Sequence, residues 1–242
     1  MRLVWSKEVI ADDILPFIHN YMMINNIDTY IEPFVGGANI IDKVVASKKY
    51  GYDKNKYIIA FLNYIKSGGK IPENISIEQY LDCKAHYKAN DTEYTDWFTG
   101  AVAILADVRG KFFDKHSRTS GIIDEEKYNK HYKEAVKEIT EQSKFIHDIN
   151  FINAEYKDIQ AENSLIYCEI PDNIRTERFD TVDFWITVSK WNKSNNIVLI
   201  RSESAPDEYD VIWENEDKSK KDRVYIHREV NIDRKIKADY EF

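Results

Sequence analysis

Short strand-like runs alternate with helical spacings along this chain, and that alternation limits the fold more than any other feature. Thr29-Tyr30-Ile31-Glu32-Pro33-Phe34-Val35 is strand-like and runs into Gly36-Gly37-Ala38-Asn39, after which Ile40, Ile41, Val44 and Val45 mark a helix. Tyr50 to Asp53 then reads as a second short strand ending in an acid, followed by a helix through Tyr57 to Ile65. Strand, glycine turn, helix, strand, helix implies a parallel sheet in an α/β fold. Ahead of it, Ser6 to Asn20 predicts a helix capped by Ser6, with Ile10, Ile14, Leu15 and Ile18 on one side and Asp12 and Asp13 on another.

From Lys66 to Gln142 strand signals vanish, and Ile77 to Lys88, Thr95 to Leu105 and Glu125 to Ile146 favour helix. The expected organisation is an α/β domain over 1–65 and 143–242, interrupted by a helical insertion over 66–142. The sheet resumes at Phe151 to Asn153, at Leu165-Ile166-Tyr167-Cys168 and at Ile197 to Ser202, with an amphipathic helix over Val182 to Trp191. Val211 to Trp213 and Val224 to Arg228, separated by the charged turn Glu216 to Asp222, predict a closing hairpin. No repeat or low-complexity linker breaks the chain.

The apolar run Leu165 to Cys168 ends in Glu169-Ile170-Pro171-Asp172. The carboxyl ends of strands are where open α/β sheets bind ligands, so this tip is either chemistry or a plain turn. Gly36 and Gly37 let a ligand approach the backbone, and an acid such as Asp53 at the end of the next strand suits a ribose hydroxyl pair. A purely structural turn has the same residues.

At 242 residues and 43% hydrophobic, with 13% aromatic, the chain has material for one substantial core. Cys83 and Cys168 lie far apart, which argues against a disulfide framework, and no metal-ligand spacing occurs. Acids interrupt the N-terminus where a signal peptide needs an apolar core, and no stretch nears ~20 apolar residues, so a soluble cytoplasmic protein without a membrane partner is expected. A net charge of −8 argues against a surface that grips a polyanion throughout. The local exception is Arg109 to Arg118, where Arg109, Lys111, Lys115 and Arg118 interleave with Phe112 and Phe113. It is either a weak nucleic-acid contact or a solvated turn around a buried aromatic pair.

Tyr30 to Val44, YIEPFVGGANIIDKV, resembles the S-adenosylmethionine-binding motif of the Dam-type (D12 class) DNA adenine methyltransferases, phage and prophage members especially. The similarity continues through YDKNKYIIAFL, GGKIPENISIEQY, SLIYC, FDTVDFW and SESAPDEYDVIWE, which together span nearly the whole chain. The resemblance implies a Rossmann-like S-adenosylmethionine-dependent methyltransferase fold whose insertion sits where a target-recognition domain would. It implies cofactor binding by Trp5, Lys7, Phe34, Gly36, Gly37, Asp53 and Glu169, with S-adenosylmethionine or S-adenosylhomocysteine as ligand and no metal. In the family the next strand ends in Asp-Pro-Pro-Tyr, whose acid accepts from the amino group of a flipped adenine while the tyrosine stacks on the base. Here Glu169, Pro171 and Asp172 stand in a degenerate version of that motif. The expectation is a cofactor-binding pseudoenzyme that sequesters or senses the cofactor or takes a protein partner in phage-host conflict. The alternatives are an active adenine-N6 methyltransferase with an unusual motif and a ligand-free interaction module.

Overall fold

The structure, a computed structural model, describes residues 8–107, 112–113, 124–169, 181–215 and 222–230. One sheet organises them. Its strands are β1 (Thr29–Glu32), β2 (Lys48–Asp53), β3 (Ile149–Asn153), β4 (Leu165–Glu169), β5 (Ile197–Ser202), β6 (Tyr209–Glu214) and β7 (Arg223–His227). They lie in the order β3-β2-β1-β4-β5-β7-β6. β7 runs antiparallel to both β5 and β6, and every other neighbouring pair is parallel. This is the α/β architecture that the strand-helix alternation predicts and the Rossmann-like layering that the family resemblance implies, closed by the expected hairpin. The hairpin has one unexpected feature: its second strand is inserted beside β5, which leaves β6 at the edge.

The central strands β4 and β5 are buried on both faces because helices cover both. On one face Tyr30, Tyr167, Leu199 and Ile226 join a core built with α1 (Glu8–Ile24), α2 (Lys56–Lys66), α3 (Ile77–Ala89), α4 (Asp96–Ala101) and α5 (Glu125–Gln142). On the other, Ile31, Ile166, Cys168 and Ile200 pack against Phe184, Val188 and Trp191 of α6 (Thr181–Lys193). Both cysteines are buried and neither is in a disulfide. No helix among the described residues is long and apolar enough to cross a membrane.

Local chemistry sets the helix ends. Asn55 caps α2 by accepting from Tyr57 N, Ser76 caps α3 by accepting from Gln79 N, and Asp124 caps α5 by accepting from Lys127 N. Asn90, in the left-handed region at φ 56°, ends α3. The helix expected from Thr95 to Leu105 is α-helical only to Ala101 and continues as one π-helical turn over Val102–Ala106. The stretch from 66 to 142 shares the core of the α/β layer: Tyr80, Cys83, Leu105, Tyr128 and Tyr132 belong to the same cluster as Phe61 and Tyr30. Close approach joins α4 to α2, since a Cβ on Gly100 would lie 2.1 Å from the Tyr57 carbonyl oxygen.

Two sequence expectations need correction. The strand expected over Thr29 to Val35 stops at Glu32, where Pro33 has no amide to donate to a ladder. The helix expected from Ile40 to Val45 does not form, and turns fill residues 39–43. Ile40, Ile41 and Val44 are buried as their apolar character requires. The backbone there is a turn, with Lys43 N donating to Ile40 O at 2.9 Å, three residues back and not four, while the carbonyls of Gly37 and Ala38 just before it accept from the side chain of Gln142. Ala38 itself sits at φ 57°, outside helical geometry. The N-terminal helix also runs past Asn20 to Ile24, while its expected cap Ser6 lies outside the described residues.

Candidate ligand crevice at the strand switch point

β1 and β4 are neighbours, yet the chain leaves them in opposite directions, toward β2 and β3 on one side and toward β5 on the other. Such a reversal opens a crevice outside the carboxyl ends of the two strands. Glu32 ends β1, Asp53 ends β2 and Glu169 ends β4, so each of these strands ends in an acid, that of Glu32 fully buried.

On the β2 side the backbone holds the geometry. Val35 N donates to Tyr52 O at 2.8 Å, which turns the chain back across the end of β2. Gly36, at φ 47°, donates its amide to Asp53 Oδ2 at 3.1 Å, and Asn55 N donates to Asp53 Oδ1 at 2.8 Å. The carboxylate is thereby fixed in orientation by amides from two segments. Gly51 matters for the same turn: a Cβ there would lie 2.7 Å from Val35 Cγ2, so a side chain would push the loop off the strand. Phe34 packs its ring 5.3 Å from Tyr156 and 6.2 Å from Phe184, which anchors the loop to the α6 face.

On the β4 side charges hold the geometry. Arg201 Nη1 lies 3.1 Å from Glu169 Oε2, while its Nε and Nη2 make a bidentate pair with Asp222 at 2.8 and 2.6 Å. All three side chains are largely shielded from solvent. Burial works against the guanidinium charge, yet Asp222 and Glu169 together hold its pKa above the ordinary value. Beside this chain the Tyr167 hydroxyl is buried with no hydrogen-bond partner among the described residues. Burial, then the nearby Glu169 charge, pushes its pKa well above 10.0. Tyr30, also fully buried, donates to Glu32 Oε1 at 2.9 Å, and burial followed by the Glu32 charge raises its pKa likewise.

Of the residues singled out in the sequence, Phe34, Gly36 and Gly37 follow the end of β1, Asp53 ends β2 and Glu169 ends β4, and Gly36 bonds Asp53 directly. Trp5, Lys7, Pro171 and Asp172 lie outside the described residues, as do Arg109, Lys111, Lys115 and Arg118. Between those cations Phe113 is fully buried against Tyr80 and Tyr87, and its amide donates to Asp107 Oδ2 at 3.2 Å. Phe113 therefore presents no face for a base to stack on. Among the described residues no group of three or more His, Cys, Asp or Glu side chains is placed to hold a metal.

Sequence reasoning missed Glu32, Tyr167, Arg201, Asp222 and Gln142. Two of them carried a signal: Glu32 is the one acid in a strand-like run, and Arg201 is the one charge on the otherwise apolar end of Ile197 to Ser202. Asp222 reads in the sequence only as the last residue of the charged hairpin turn Glu216 to Asp222. Nothing in the sequence around Gln142 marks it.

No protein-family model matches the chain, and no curated protein matches it in sequence. Solved structures align along most of its length at very low identity and low TM-score. Magnesium protoporphyrin IX methyltransferase (ChlM) from Synechocystis PCC 6803, with bound SAM, is 7% identical over 91% of this chain and 79% of its own, with a TM-score of 0.39. The provisionally assigned methyltransferase yhhF from Escherichia coli is 9% identical over 89% and 86%, with a TM-score of 0.37. A conserved hypothetical protein of Streptococcus pyogenes is 8% identical over 82% and 85%, also at 0.37. The fold assignment therefore rests on the strand order and pairing of the chain itself.

Proposed function

We propose that this chain is a methyltransferase-fold protein that binds S-adenosylmethionine or S-adenosylhomocysteine outside β1, β2 and β4 and does not methylate adenine. One observation carries the reading: Glu169, standing where the family resemblance puts the acid that accepts from the adenine amino group, is engaged by Arg201 at 3.1 Å. An acceptor already neutralised by a guanidinium is a weaker partner for a neutral amino group, and the longer glutamate side chain shifts its oxygens by about an ångström, a misplacement that can cost on the order of 100-fold.

The residues present fit the cofactor better than they fit a dinucleotide. Asp53, oriented by two backbone amides, suits a ribose hydroxyl pair. The glycine turn leads into further turns, so there is no helix N-terminus to receive a pyrophosphate. S-adenosylmethionine has no phosphate to place. When bound it supplies an electrophilic methyl group on its sulfonium. Phe34 and Asp53 would position it, and Gly36 and Gly37 would allow its close approach to the backbone.

Titration calorimetry with both ligands tests the binding half. Heat is expected from the wild type, weakened by Asp53→Ala and by Gly37→Val. No heat and no thermal stabilisation at millimolar ligand would sink it. A radiolabelled methyl-transfer assay on mixed genomic DNA tests the other half, with counts near background expected and robust incorporation into adenine as the contrary result. Duplex DNA is expected to bind weakly, given the net charge of −8, with Arg109, Lys111, Lys115 and Arg118 supplying what contact there is. Gel shifts at physiological salt check this, and tight sequence-selective binding would favour an active enzyme instead.

A further inference from the structure

We infer that Gln142, at the end of α5, is a positioning residue that clamps the ligand loop, so that the shape of residues 37–42 depends on this helix as well as on the loop's own turns. The inference rests on the reading that this loop lines the cofactor site.

Gln142 is 6% exposed, and its amide nitrogen faces four acceptors. Nε2 lies 2.9 Å from Gly37 O, 3.0 Å from Ala38 O, 3.1 Å from Asp42 Oδ2 and 3.4 Å from Asn39 Oδ1. The reversed amide would set Oε1 against four oxygens, so the donor orientation follows from the partners. Two amide hydrogens shared by four acceptors make this one group the meeting point of the loop. The other end of the side chain argues the same way. Oε1 is buried with no hydrogen-bond partner among the described residues, a cost that an apolar residue of similar size would avoid. Donation, not acceptance, accounts for glutamine here.

The clamp has a firm base. Tyr128 Oη donates to Ile75 O at 2.9 Å and Tyr132 Oη to Pro72 O at 2.6 Å, which tie α5 to the segment before α3. The loop has other ties as well: Gly36 N on Asp53 fixes its start, Ala38 N donates to Val35 O at 2.8 Å, Lys43 N donates to Ile40 O at 2.9 Å and Lys43 Nζ to Asn39 O at 2.8 Å, and Ile40 and Ile41 are fully buried. Gln142 is the group that bonds two of its carbonyls and two of its side chains at once. Since no helix forms after the glycine turn, the carbonyls of Gly37 and Ala38 have no partners four residues on, and Gln142 serves both.

Gln142→Ala and Gln142→Met test the inference, because methionine keeps the length and apolar packing but donates nothing. Both variants are expected to bind S-adenosylhomocysteine about 10-fold more weakly, the loss of roughly one to two net hydrogen bonds. In ligand-free protein, amide hydrogen exchange over residues 37–43 is expected to quicken by about 10-fold in both, with β5 unchanged. If Gln142→Met exchanges and binds as the wild type does, packing explains the residue and the inference is overturned. Quickened exchange with unaltered affinity also overturns the positioning role. Should the wild type bind no ligand, the cofactor reading fails, while exchange in Gln142→Met still decides the clamp: faster loop exchange supports it and unchanged exchange removes it.

Discussion

The tips of β2 and β4 face the same crevice and are built from opposite materials. At β2 a single carboxylate, Asp53, is oriented by the neutral amides of Gly36 and Asn55. At β4 the carboxylate of Glu169 meets a guanidinium that a second carboxylate also holds. Backbone amides fix direction without cancelling charge, so the first tip is preorganised to receive a polar ligand. An ion-paired chain in a shielded site satisfies its own charges, and the second tip is organised around itself. The difference teaches that two acids at equivalent strand ends need not share a role, because the donor that reaches each one decides what it has left to offer.

Breaking the β4 tip should have the largest effect. Arg201→Met leaves Glu169 and Asp222 shielded without their cation and is expected to destabilise the fold by about 3 kcal/mol, read by urea unfolding. A loss below about 1 kcal/mol would mean that solvent already screens the chain, and the contrast between the tips would narrow. The β2 tip should lose less. Asp53→Ala removes the acceptor of two amides that water can partly reach, costing roughly 1 to 2 kcal/mol. Its signature is disproportionate: ligand affinity should fall about 10-fold or more at that modest cost, whereas Arg201→Met should change stability far more than affinity for S-adenosylhomocysteine.

The smallest effect sharpens the picture of what lies under the β4 tip. Tyr167→Phe deletes a buried hydroxyl that has no hydrogen-bond partner among the described residues, so stability at neutral pH should stay level or rise by up to about 1 kcal/mol. A clear loss would reveal a partner for that hydroxyl. The pH dependence follows from the same group. Tyr30 and Tyr167 hold their protons in the fold above the ordinary value of 10.0, so their contribution is intact below pH 10 and drains away as pH rises further. Phenylalanine at 167 should flatten that alkaline decline, measured by thermal unfolding across pH 8 to 11.

What the sequence determined by itself was the layered architecture and the strand ends at which the proposed site lies. Uninterrupted apolar runs such as Leu165 to Cys168 can only be strands covered on both faces, and capping residues such as Asn55, Ser76 and Asp124 mark helix starts through bonds made within a few residues. Gly36 and Asp53 were legible as candidates because one lies in the turn after β1 and the other ends β2, positions that local pattern marks. Tertiary structure alone decided the rest. Ile40 to Val45 has the spacing of a helix but folds as turns, and Gln142, about a hundred residues away, donates to the carbonyls of Gly37 and Ala38 that lead into it. Glu169 has the look of a catalytic acid, but Arg201 lies beside it across the β4–β5 ladder, and Asp222 is brought there because β7 inserts next to β5. Hydrogen bonds and ion pairs between residues distant along the chain leave no period in the sequence. They arise only when strand order and register set particular side chains within about 3 Å of one another.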